Sequence, residues 1–271
     1  MPTSSDEITR YRAIFLSDLH LGTRGCQAEL ALDFLRRNDA DTIYLVGDIL
    51  DGWRMRASWY WPQAHNDVVQ KLLRKVRRGA RMIFVPGNHD EFARQFFGLS
   101  FGGIEIARNV IHVAADGRRY LVTHGDEFDV VVRNAKWLAL LGDWSYDAAL
   151  FVNTHFNALR RRLGFGYWSF SGWAKLKVKN AVNFIGDFER ELAKEARRRG
   201  ADGVICGHIH HAALRDIDGV AYVNTGDFVE SCSLAVEHWD GRMEILRWPA
   251  AGAEAASAAD EAEARLGAEA A

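Results

Sequence analysis

Cysteine is scarce in this sequence: Cys26, Cys206 and Cys232 are the only three in 271 residues. Three thiols cannot build a disulfide framework, so a reducing, cytoplasmic compartment is expected. Long hydrophobic runs are missing as well. No stretch approaches the ~20 apolar residues of a membrane-spanning helix, and the opening MPTSSDEITRYR lacks the apolar core of a signal peptide. Charge of one sign is not in excess, because 34 Lys+Arg stand against 36 Asp+Glu for a net −2. That excludes a wholesale basic nucleic-acid binder and leaves room for a local basic patch. No internal repeat is visible. What is plentiful is histidine, with 10 residues, and tryptophan, with 9. Their positions carry more than their numbers.

Residues 1–10 are polar and read as a flexible N-terminus. Residues 249–271, PAAGAEAASAADEAEARLGAEAA, are Ala/Glu-rich with almost no large apolar side chain, and read as a disordered tail. The folded body is expected over 11–248. Within it, short runs rich in Ile, Val, Phe and Tyr end repeatedly in Gly, Asn, Asp or His, at 12–22, 42–53, 81–92, 118–129, 203–212 and 220–228. Their length and composition suit strands buried on both faces. ELALDFLRR (29–37) and DVVQKLLRKVRR (67–78) place apolar residues at three- and four-residue spacing with basic residues at the end, which predicts helices. The alternation predicts an α/β fold. Residues 129–199 break the rhythm with helical patterns, and are expected to form a helical cap inserted between two strands. Four tryptophans fall in that insertion (Trp137, Trp144, Trp168, Trp173) and three more at Trp53, Trp59 and Trp61.

Five of the predicted strands end in residues that ligate metals: Asp18-Leu19-His20, Gly47-Asp48, Gly87-Asn88-His89-Asp90, His124-Gly125-Asp126 and Gly207-His208-Ile209-His210. In α/β folds the carboxyl ends of strands line the ligand crevice, so the five should converge. Asp18 and His20, and likewise His208 and His210, are two apart and would share a side on extended backbone. The set mixes imidazole, carboxylate and amide oxygen with no cysteine. It exceeds one tetrahedral zinc site and suits Mn, Fe, Zn or Co at higher coordination. A shared carboxylate can bridge two ions roughly 3.5–4 Å apart, the arrangement of many phosphate-cleaving enzymes.

SDLHLG, GDILD, GNHD, HGD and GHIH, in this order over about 12–228, resemble the five motifs of the calcineurin-like metallophosphoesterases. The resemblance implies a four-layer αββα sandwich with a binuclear metal centre on one edge. It implies one divalent ion held by Asp18, His20, Asp48 and His210. A second would be held by Asp48, Asn88, His124 and His208, with Asp48 bridging and Mn2+ the expected metal. The family's catalytic histidine falls on His89, and the aspartate that orients it on Asp51.

FxSDLHLG, YLVGDILDGW and HGDEFD followed by a helical cap resemble more specifically the bacterial UDP-2,3-diacylglucosamine pyrophosphohydrolases of lipid A synthesis. The resemblance implies a phosphohydrolase acting on an amphipathic nucleotide-lipid, giving lipid X and UMP, at the inner membrane surface and without nucleic acid. The expected insertion is greasy and basic, as such a substrate requires. Asn88, His89 and Trp53, with Ser171 and Lys175 of the insertion, are the candidate substrate contacts. The sequence departs from that family where GNHD replaces the usual GNRD and GHIHHAAL replaces GHTHRP. Another phospholipid or a cyclic nucleotide therefore remains open as substrate, and a non-catalytic metal-binding scaffold as the alternative to an enzyme.

Overall fold

The structure, a computed structural model, describes residues 8–128 and 185–248. They divide between two compact units, one drawing on residues up to Gly125 and from Ala193 on, the other on 126–192. In the second unit, residues 185–192 are helical. Most of the expected insertion, including Ser171 and Lys175, lies outside the described residues, as does the expected tail. The rest of the fold described here belongs to the first unit.

Its core begins with strand periodicity. In β1 (Thr9–Leu16), Ile14 and Leu16 face one way and Ala13 and Phe15 the other, and all four are fully buried. β2 (Asn38–Leu45) and β3 (Arg81–Phe84) follow the same rule, with Ile43 and Met82 on one face and Tyr44 and Ile83 on the opposite one. A strand buried on both faces needs a layer on each side. On the first side lie α1 (Ala28–Arg37) and α3 (Gln63–Arg77), which contribute Phe34, Leu35, Val68 and Leu72 to one apolar cluster. α1 carries Glu29 in its first turn and Arg36 and Arg37 in its last, charges that complement the helix dipole.

On the second side lies another sheet. β6 (Val110–Val113), β7 (Arg119–Val122), β8 (Gly203–Cys206), β9 (Ala213–Ile217) and β10 (Val220–Asn224) pair in the order β6-β7-β8-β10-β9. Tyr120, Val122, Ile205 and Val223 meet Phe15, Tyr44 and Ile83 in the cluster between the sheets. The first sheet is completed by β4 (Ser100–Phe101), β5 (Ile104–Ile106), β11 (Ser233–Glu237) and β12 (Met243–Arg247), in the order β12-β11-β1-β2-β3-β5-β4. The second sheet buries Leu121, Val204 and Tyr222 as well. Arg199, just beyond a helical stretch, donates to Asn109 at 2.6 Å, and Arg197 to the Asp218 carbonyl at 2.6 Å. The result is a mixed α/β sandwich of two stacked sheets.

Two expectations shift. β1 begins at Thr9, inside the segment read as loose, because it pairs in parallel register with β2 from Thr9↔Asn38 onward. Residues 193–199, assigned from sequence to the insertion, belong to the sandwich unit.

The connectivity places the chemistry. β1, β2 and β3 run parallel in the first sheet, and β7, β8 and β10 run parallel in the second. Their carboxyl ends release Asp18, Asp48, Asn88, His124 and His208 into the loops.

Candidate metal centre

The loops after β1 and β2 are zipped together by backbone bonds. Asp18 N–H donates to the Gly47 carbonyl at 3.0 Å, His20 N–H to Asp48 at 2.9 Å and Asp51 N–H to Leu21 at 2.8 Å. The backbone there is not extended. Asp18, His20, Asp48, His208 and His210 have φ of +50°, +49°, +53°, +73° and +51°. They make up five of the seven non-glycine residues with positive φ among the described residues. Left-handed backbone costs roughly 1–3 kcal/mol per such residue and gathers at functional sites. The two-residue spacing brings Asp18 and His20 together through left-handed turns instead of strand alternation, whereas His208 and His210 fall in different donor groups. At Gly47, with φ +80°, a side chain would run into the ring of His124. Glycine alone lets the backbone pass there.

Three groups of donor atoms result among the described residues. Asp18, His20 and His210 form one ligand triad and Asp48, His124 and His208 another; the third group, His20, Asp51 and His89, shares His20 with the first. Asp48 Oδ2 lies 3.3 Å from His124 Nε2, 3.9 Å from His20 Nε2 and 4.0 Å from His89 Nε2. One carboxylate oxygen therefore faces residues of both triads. Its other oxygen accepts from the backbone N–H of His89 at 2.8 Å.

The donor chemistry fits metal ions. His124 Nδ1 sits 2.9 Å from the Val46 carbonyl, which can only accept, so Nδ1 carries a proton and Nε2 is the nitrogen turned to the centre. Nε2 faces Asp48 Oδ2 at 3.3 Å, an imidazole nitrogen and a carboxylate oxygen placed to share a cation. His20 repeats the pattern: Nδ1 is 3.1 Å from Asp51 Oδ2, while Nε2 points at His210 Nε2, 3.4 Å away. A carboxylate or carbonyl behind a ligating imidazole is the usual way its ring is aimed at a metal. Asp18 Oδ1 and Asn88 Oδ1 are buried without a hydrogen bond among the described residues, and Asp18 Oδ1 lies 3.2 Å from His210 Nε2. Buried oxygens left in this state are costly unless something positive meets them.

Electrostatics follow from the crowding. Burial alone would raise the Asp48 carboxyl, but His124, His89 and His20 outweigh it and hold it well below the usual carboxylate range. Asp51 is held low in the same way, against burial, by His20, His89 and the backbone N–H of Arg54. It also caps the short helix α2 (Gly52–Ala57) through that N–H at 2.8 Å. Burial would lower the His89 imidazole, yet Asp51 Oδ2, 3.0 Å from Nδ1, and the Asp48 charge raise it. Trp53 covers the other side of His89 with ring centroids 4.3 Å apart.

Asp90 closes the third motif, and motif reading assigned it no role of its own. It is fully buried and accepts from the backbone N–H of Gly87, Asp48, Ile49 and Leu50, tying the loops after β2 and β3 together. Burial, reinforced by the Asp48 charge, pushes its carboxyl up to about 6. Its place directly after Asn88-His89 was the available signal.

A cavity of about 610 Å³ opens beside the centre, with His20, Asp51, His89 and His210 on its wall. Asn88 and Trp53 do not line it. Arg24, Arg54 and Tyr60 do, and none of the three stood out in the sequence.

The sequence of residues 11–212 matches the calcineurin-like phosphoesterase family, and the chain belongs to that family of metal-dependent phosphoester hydrolases. Among curated relatives it is similar to a UDP-2,3-diacylglucosamine hydrolase of Porphyromonas gingivalis, 28% identical over 88% of this chain and 97% of that one. Another, from Chromohalobacter salexigens, is 30% identical over 76% of this chain and 83% of the relative. A solved phosphoesterase from E. coli aligns with 88% of this chain and 99% of its own at 14% identity and TM-score 0.40. Among the described residues no helix is long and apolar enough to cross a membrane.

Proposed function

We propose that the chain is a binuclear phosphohydrolase that cleaves a phosphoanhydride or phosphodiester bond, its substrate a lipid-linked nucleotide such as UDP-2,3-diacylglucosamine. The observation that carries the two-ion reading is the single oxygen of Asp48 facing both ligand triads. Asp18, His20, Asp48 and His210 would hold one ion and Asp48, Asn88, His124 and His208 the other, with Mn2+ the expected metal. Bound there, divalent ions supply an activated water at neutral pH and offset charge on the phosphoryl oxygens.

The remaining work falls to side chains of this chain. Asp51 orients His89 through Nδ1 and favours its protonated form, leaving Nε2 to stabilise the phosphoryl oxygens and to donate a proton to the leaving oxygen. Trp53 limits the ring's movement and shields it from water. The lipid substrate is supported by the activity for which the relatives are named, and these align with most of the chain. Ser171 and Lys175 are proposed contacts to it, and peripheral attachment to a cytoplasmic membrane face follows from such a substrate.

An Mn2+-supplemented panel of UDP-2,3-diacylglucosamine, an aryl phosphodiester, an aryl phosphomonoester and cyclic AMP tests this. Turnover fastest on the nucleotide-lipid is expected. Turnover of the aryl diester or cyclic AMP alone would remove the lipid substrate and leave the phosphohydrolase.

A further inference from the structure

The cavity beside the centre touches only one of the two triads. His20 and His210 line it, together with Asp51 and His89, whereas Asn88, His124 and His208 do not. Its far wall comes from two segments outside the ligand set: Thr23 and Arg24 in the loop after β1, and Arg54, Ser58 and Tyr60 in and after α2. The Arg24 guanidinium lies over the Tyr60 ring, 4.6 Å from its centroid, which restrains an otherwise wandering side chain. Neither Arg24 nor Arg54 is ion-paired to a carboxylate among the described residues. Two guanidinium groups and three hydroxyls on one wall of a cavity of this volume make a receptor for a multiply charged oxyanion attached to a larger group. The phosphorus under attack must sit over the histidines, so an anion against Arg24 and Arg54 is a second phosphate.

We propose that this cavity is the subsite for the leaving phosphate of a diphosphate substrate, bound by Arg24 and Arg54, and that these two residues select phosphoanhydrides over phosphodiesters with an uncharged leaving group. The inference rests on the phosphohydrolase reading above and narrows it. One water is added across the P–O–P bridge. Its oxygen bonds to the phosphorus over the histidines, and the bridging oxygen departs with the bonding electron pair on the phosphate in the cavity. The two protons of the water are shared between the phosphate products and solvent.

The test compares kcat/KM for UDP-2,3-diacylglucosamine with kcat/KM for bis(p-nitrophenyl) phosphate in the full-length Mn2+-loaded enzyme and in R24Q, R54Q, R24K and the R24Q/R54Q double variant. The ratio of diphosphate to diester is expected to fall about tenfold for each glutamine substitution, the cost of losing a charged hydrogen-bond donor to phosphate, and to be partly retained in R24K. A second arm measures inhibition of diester hydrolysis by UDP-glucose, whose Ki is expected to rise at least tenfold in the double variant. Loss of the two rates in equal proportion, an unchanged ratio, or failure of UDP-glucose to compete in the wild type would overturn the subsite. If the nucleotide-lipid is not cleaved but UDP-glucose competes in an arginine-dependent way, the subsite stands and the lipid substrate falls.

Discussion

The chain buries two clusters in which histidines meet carboxylates, one inside the sandwich and one on its edge. In the interior, Glu237 of β11 accepts from Arg12 of β1 at 2.7 Å, lies 2.7 Å from His112 Nε2, and accepts from the backbone N–H of Ala115 at 2.7 Å. His112 Nδ1 meets the Tyr44 hydroxyl at 3.0 Å. Each polar group there has its partner, and none of these residues has positive φ. On the edge, ligand nitrogens face other acceptors, two buried oxygens make no hydrogen bond, and five side chains are carried on left-handed backbone. The interior cluster is complete as protein and its role is to join the two sheets. The edge cluster is incomplete as protein, and its donor groups are ones that a divalent cation would complete. Buried polarity alone does not mark a functional site; unsatisfied polarity held in place by strain does.

The contrast breaks most severely at Asp48. Asp48→Asn removes the charge that both triads share, so bound metal should fall from two ions per chain and turnover should drop below that of any other single variant. Metal analysis alongside initial rates reads both, and an active, fully loaded variant would defeat the shared-carboxylate role. His89→Ala separates chemistry from metal holding, because the backbone N–H that contacts Asp48 remains. Turnover should fall about 10²–10⁴-fold with metal content unchanged.

The interior cluster should respond in the opposite way. Glu237→Ala leaves His112 buried opposite a void, and should cost about 3–5 kcal/mol in urea unfolding while leaving kcat per folded molecule intact. The smallest effect is in pH. Burial would raise the Glu237 carboxyl, but His112, the Ala115 N–H and Arg12 hold it below its ordinary value. A carboxyl depressed in the folded state contributes stability that is complete above its unfolded value of about 4.3 and is lost as pH falls through the folded value. Urea midpoints of the wild type should therefore decline below about pH 4.3, and Glu237→Gln should flatten part of that slope.

Much of the edge was legible because ligand chemistry is written in short, ordered motifs. Asp18, His20, Asp48, His124, His208 and His210 were singled out by residue type and by their position at strand ends, and the parallel strands bring them together. The strands and helices were legible from periodicity, since β1 and α1 bury the residues their patterns mark. The backbone was not, because a run such as Asp-Leu-His does not reveal left-handed φ without the loop beside it. The role of Asp90 escaped because it collects backbone N–H groups from two loops, which only the fold assembles. Arg24 and Arg54 are 30 positions apart in segments without motifs and meet only across a cavity. The interior His112–Glu237 pair spans 125 residues and likewise has no local signature.

The most direct test of the edge as a cation site is the metal content of the purified chain after Mn2+ loading and removal of free metal, measured beside its Asp48→Asn variant. The account predicts two divalent ions per chain in the wild type and fewer in the variant, with aryl phosphodiester hydrolysis following the ions. A folded wild-type chain that binds no divalent ion would contradict it.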